Sequence, residues 1–118
     1  HELSAQYGIT HGEGMAVVLV AWTKYAAEVK PHKPAQIAVR VFGGDTFNSS
    51  ERDLTLLLSE KLEGFFKKLG LKTSLAELGI GSEHFEEMAD RATKNGAQTV
   101  GHYIPLDKQR FIDILKLA

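Results

Sequence analysis

Met15–Trp22 reads MAVVLVAW, the longest unbroken apolar run in the chain, and whether it is strand or helix decides the fold. Taken alone it fits either, because periodicity does not separate a short buried strand from a buried helix. The pattern, however, continues past Trp22. Met15, Val18, Leu19, Trp22, Ala26 and Val29 fall on one helical face, and the pattern stops at Pro31. The spacing therefore predicts a helix that ends before Pro31. Being apolar nearly all round, it belongs at the centre of the domain.

On either side of this run, the punctuation predicts helices throughout. His1 to Tyr7 reads as the end of a helix stopped near Gly8. Pro34 sits where a first helical turn tolerates proline, and a short piece, Ala35 to Phe42, ends at Gly43-Gly44. Asp45 to Ser49 is a polar loop. Ser50-Glu51-Arg52-Asp53 resembles a capping box, and it precedes the clearest stripe: Leu54, Leu57, Leu58, Leu62, Phe65, Phe66 and Leu69. Gly70 closes that helix as a glycine just past a helix end does. Ser74-Leu75-Ala76-Glu77 is a second capping box on a short turn ended by Gly79. Ser82 is placed to cap a helix carrying Phe85, Met88, Ala89 and Ala92, stopped by Asn95-Gly96. Asp107 is placed to cap the last helix, with Leu106 stapled on Phe111. No strand pair and no repeat is evident. The expected class is all-α, one domain over residues 1–118, with every apolar stripe assigned to its core.

The composition agrees: 118 residues make one compact domain, 43% of them apolar and 25% charged. A net charge of −1 argues against a nucleic-acid partner, which calls for a clustered basic surface. Lys67, Lys68 and Lys72 mark the wet end of a helix instead. Cysteine is absent, so disulfides and thiolate metal sites are excluded. An eight-residue apolar run is far short of the roughly twenty needed to cross a bilayer. With no signal-peptide pattern, a cytoplasmic location is expected.

Few residues carry chemistry. Gly12-Glu13-Gly14 lacks the third glycine of a dinucleotide-binding turn and follows no predicted strand, so it is read as a sharp turn of small residues. His32 falls in the loop Pro31-His32-Lys33-Pro34, His84 in a helical first turn among acids, and His102 in a loop; each is expected to be solvated. His1 and His11 differ. They bracket a turn beside small residues and precede the most apolar helix, where a partly buried imidazole needs a partner, of which a metal is one. Ten positions apart, they match no self-contained metal motif, and a catalytic metal takes three or four donors.

The opening stretch HELSAQYGITHGEGMAVVLVAW resembles the signature of the iron-containing (group III) alcohol dehydrogenases, and within them the branch of NAD(P)H-dependent butanol dehydrogenases. EKLEGFFKKLGLKTSLAELGI, EEMADRATKNG and the closing PLDKQRFIDILKLA are similar to that family's later segments, so the resemblance covers the whole chain. It implies the C-terminal helical domain of the dehydroquinate synthase-like fold, whose partner is its own N-terminal Rossmann-like, cofactor-binding domain. The family pattern here is H-x-x-x-H-x-L followed by H-G. His1 matches the second histidine and His11 the last. The resemblance thus makes His11 a metal ligand. It makes His1 a non-ligand catalytic residue near the nicotinamide and substrate, a candidate for proton transfer. The first histidine of the pattern, the aspartate ligand and the third histidine ligand would all lie upstream. The family often has proline at the position of Val20, so Val20 implies a straighter helix there.

The activity implied by the resemblance is hydride transfer between a small alcohol or aldehyde and NAD(P), assisted by a divalent metal, Fe2+ or Zn2+, in a homodimeric parent. Alone, the chain is expected to be silent and to bind neither metal nor NAD(P). The competing reading is a free-standing helical interaction module with structural histidines; a glycerol dehydrogenase-like polyol enzyme is the alternative within the fold.

Overall fold

The structure, a computed structural model, describes all residues, 1–118. Six helices follow in order: α1 (Glu2–Tyr7), α2 (His11–Val29), α3 (His32–Phe42), α4 (Glu51–Lys68), α5 (Phe85–Thr93) and α6 (Lys108–Leu117). The only β pairing is one isolated antiparallel bridge, Val100 to Leu106. The expected all-helical class is therefore what the chain adopts, and MAVVLVAW lies within α2.

α2 is the spine. It packs on α3, α4, α6 and α1; α3 also lies on α4, and α5 bridges α6 and α1. Its small residues make this possible: Gly14, Ala16, Ala21, Ala26 and Ala27 are all buried and let neighbouring helices approach closely. The core is accordingly divided among three clusters. Leu3, Val17, Leu75, Ile80, Phe85, Met88 and Leu115 join α1, α2, α5, α6 and the turn at 75–80. Ala21, Ala26, Ile104, Leu106 and Ile114 join α2 to α6 and the segment before it. Ala35, Ala38, Leu54 and Leu58 seal α3 to α4.

Of the buried serine and threonine hydroxyls, those of Thr23, Thr55, Ser59 and Thr93 donate to backbone carbonyls and that of Thr73 to the Glu63 carboxylate, as buried polar groups require. Thr55 Oγ1 donates to Pro31 O at 3.0 Å and Ser59 Oγ to Val20 O at 3.3 Å, tying α4 to α2 and its end. α2 runs from His11 to Val29 unbroken past Val20.

Caps account for most boundaries. The side chains of Ser50 and Asp107 accept from the N–H groups of Asp53 and Arg110, as their positions predict. Gly43 ends α3 in the left-handed conformation (φ +69°), and Gly70 (φ +80°) follows α4. Four expectations are corrected. α2 begins at His11, so Gly12 and Gly14 are helical and the expected sharp turn does not lie there. α3 begins at His32, which places His32 in a helix instead of a loop. α5 is preceded by His84, not Ser82, and its end is Lys94, one residue early, at φ +49°. Finally, the stripe of α4 is core only in part; Phe65 and Leu69 are 52% and 59% exposed.

Candidate functional site

The site is built where α1 returns to α2. Gly8 ends α1 in the left-handed conformation (φ +66°), Ile9 and Thr10 lead back, and Thr10 caps α2. The Thr10 side chain accepts from the Glu13 N–H at 3.4 Å. The Glu13 carboxylate accepts from the Thr10 hydroxyl at 3.0 Å and the Thr10 N–H at 3.4 Å, a complete capping box. The sequence Thr10-His11-Gly12-Glu13 carries this signal, and the glycines on either side of Glu13 obscure it by suggesting a turn. Its consequence is that His11, the first residue of α2, is held between the two members of the box.

His1 and His11 are brought together. Their ring centroids lie 5.2 Å apart with the planes tilted by 52°. Both residues are exposed, which corrects the expectation of a partly buried imidazole. The other histidines are not part of the pair. His32 Nδ1 pairs with Glu51 at 2.8 Å and His84 Nδ1 with Glu87 at 3.0 Å on the surface, and His102 is exposed in its loop.

Behind the histidines runs an apolar cavity of about 210 Å³. His11, Met15, Val18 and Trp22 line it from successive turns of α2; Leu106 and Phe111 line the opposing side. Met15 is 50% exposed and faces the cavity instead of the core, while Val18 and Trp22 line the cavity and also pack against the core clusters. The polar groups at the mouth are His1, Glu2, Ser4 and His11. Glu2 is engaged: its carboxylate accepts from Arg91 Nε at 2.7 Å, while Arg91 also donates to Gln6 at 2.8 Å, clasping α1 to α5. Deeper in α1, the Tyr7 hydroxyl is buried without a partner. Burial, and then the charges of Glu83 and Glu87, push it above the usual phenol range.

Imidazole is a suitable donor for a divalent transition metal, but the count is short: nowhere in the chain do three or more histidine or carboxylate groups converge. Within this chain, His11 and His1 can form only part of such a site.

A helical domain with two imidazoles at the mouth of an apolar cavity has the character of a small-molecule binding module. The whole chain, residues 1–118, matches the Fe-containing alcohol dehydrogenase family, C-terminal, and it belongs to that family. It is 33% identical to the probable NADH-dependent butanol dehydrogenase 1 of Bacillus subtilis, over all of this chain and 30% of that protein. To the NADH-dependent butanol dehydrogenase A of Clostridium acetobutylicum it is 32% identical, over 98% of this chain and 30% of that protein. The crystal structure of NADH-dependent butanol dehydrogenase A from Thermotoga maritima superimposes with a TM-score of 0.83 at 31% identity, over 100% of this chain and 31% of that one. The chain thus spans less than a third of the length of these relatives. No helix is long and apolar enough to cross a membrane.

Proposed function

We propose that this chain is the metal-side helical domain of an NAD(P)-linked alcohol dehydrogenase that interconverts a small primary alcohol and its aldehyde. The observation that carries the reading is the His1–His11 pair, 5.2 Å apart at the mouth of an apolar cavity, in a chain of this family. In this reading His11 is one ligand of a divalent ion, iron or zinc, whose other ligands come from the rest of the protein. When bound, the ion supplies a Lewis acid for the alcohol oxygen. The nicotinamide cofactor binds a Rossmann-like domain N-terminal to this one, and the parent is a homodimer.

The chain's own residues then have distinct tasks. The Thr10–Glu13 box fixes the backbone on both sides of His11. His1 moves a proton at the substrate oxygen, the role for which imidazole is suited near neutral pH. Met15 and Val18 hold the alkyl chain, exclude water from the reacting carbon and so orient it for hydride transfer.

The test is a pair of variants in the full-length protein. His11→Ala is expected to lose bound metal and alcohol oxidation together. His1→Ala is expected to keep the metal and lose on the order of a hundredfold or more in kcat. Stoichiometric metal in purified His11→Ala protein refutes the ligand assignment, and unchanged kcat in His1→Ala refutes the proton-transfer role.

A further inference from the structure

One residue stands between this cavity and its neighbour. A second cavity, about 250 Å³, lies beyond the first and is lined by Leu19, Pro34, Ile37, Leu58 and Tyr103 among others. Trp22 is the single residue that lines both. From His11 to Trp22 is eleven residues, or about 16 Å along the helix axis and close to three whole turns, so both residues face the same way. The first cavity therefore runs from the imidazoles along α2 and ends at an indole, with empty apolar space behind it.

The indole is also held from behind. The Tyr103 ring lies 6.1 Å from it, tilted by 54°. Tyr103 is fixed in turn: its hydroxyl donates to Lys30 O at 3.0 Å and accepts from the Lys33 N–H at 3.1 Å. The Lys30 ammonium sits 4.4 Å above the ring and donates to Tyr103 O at 3.1 Å. These contacts pin the segment Val100–Leu106, closed by its one bridge, against the end of α2. A chain growing along the cavity thus meets a partition that has no easy way to move.

We infer that Trp22 sets the length of the alkyl chain that the site accepts. This rests on the alcohol reading above. In that reading the hydroxyl-bearing end lies at His1 and His11, and the ligand class is a linear primary alcohol or aldehyde whose far end abuts the indole. Each methylene that finds room in the cavity raises kcat/KM by about fourfold, the ratio expected for burying one such group. Growth beyond Trp22 reverses the trend.

The experiment is a series of linear primary alcohols of increasing length, assayed with the full-length wild-type protein, Trp22→Ala and Trp22→Phe. The wild type is expected to peak at one length and fall beyond it. Trp22→Ala joins the two cavities and is expected to move the peak to longer alcohols, mainly through lower KM for those alcohols. Trp22→Phe keeps an aromatic wall, preserves packing and is expected to peak between the two. The same peak length in wild type and Trp22→Phe, with Trp22→Ala either unshifted or unfolded, overturns the inference. A wild-type protein that oxidises none of the series refutes the alcohol reading itself, and the inference with it, before any variant is made.

Discussion

Replacing Arg91 by alanine should loosen the helix that carries His1 without unfolding the domain. α1 has six residues, about 9 Å of helix, far below the length at which a helix stands alone in water. Two things hold it. Leu3 is buried in the largest core cluster, which is worth about 2 kcal/mol. The Arg91 guanidinium clasps it from α5, reaching Glu2 at 2.7 Å and Gln6 at 2.8 Å while also pairing with Glu87 at 3.4 Å. The Arg91 and Glu2 side chains are 40% and 23% exposed, so solvent discounts these bonds, and the clasp contributes about 1 kcal/mol in all. Its loss should make opening of α1 about fivefold more frequent. The assay is amide hydrogen exchange. The Ala5 and Gly8 N–H groups, bonded to the carbonyls of His1 and Ser4, should lose about fivefold in protection, while amides of α2 change only with global stability. Arg91→Lys keeps a charge for Glu2 but cannot span to Gln6, and should fall between the two. Equal protection of α1 in wild type and Arg91→Ala would show that Leu3 alone fixes α1 and would refute the clasp.

Two further substitutions test the energetics around this frame. Tyr7→Phe removes a buried hydroxyl that has no partner and should leave stability equal or raise it by about 1 kcal/mol in urea unfolding at neutral pH. The Tyr7 pKa is raised by burial, so the native state holds that proton more tightly than the unfolded chain; wild-type stability should fall as pH rises above about 10, and the variant should lack that component. A clear loss of stability in Tyr7→Phe at neutral pH would mean the hydroxyl has a partner after all. Glu63 is held below the usual carboxylate range, first by the hydrogen bond from Lys67. Its contribution is full above the unfolded-state pKa and lost as pH falls through the lower native one, so Glu63→Gln should cost up to about 1 kcal/mol at pH 7 and progressively less as the pH is lowered below the usual carboxylate range. A difference that persists undiminished into acid would refute this origin.

Range decides which features are legible in the sequence. Ser50, Asp107 and Gly43 act on groups within four residues, and each does what its position predicts. The stripe of α4 misleads at Phe65 and Leu69 because periodicity says which face is apolar, not how far a neighbour extends to cover it. Met15 reads as core, and Val18 and Trp22 as core alone, for the same reason, since a stripe that lines a cavity and one that fills a core have the same spacing. Leu106, opposite them, reads only as half of a helix staple, and the Arg91 clasp joins residues 89 positions apart; no local pattern announces either.

The histidine pair shows why a site can be explicit in the chain and still match no spacing rule. A helix-borne pair would sit three or four residues apart, on one turn. Here the chain travels outward from His1 along α1 for about 9 Å and returns over the four Cα–Cα steps from Tyr7 to His11, about 13 Å if extended and shortened to roughly 10 Å by the left-handed turn at Gly8. The two lengths match, so His11 arrives beside His1 and the rings meet at 5.2 Å. Gly8 supplies the left-handed residue that starts the return, and the Thr10–Glu13 box sets where α2 begins. The ten-residue separation is thus the sum of an outward and a return leg, and its tolerance is narrow. One residue more in the connector carries His11 past His1 by about 3 Å, and one fewer stops it short by as much.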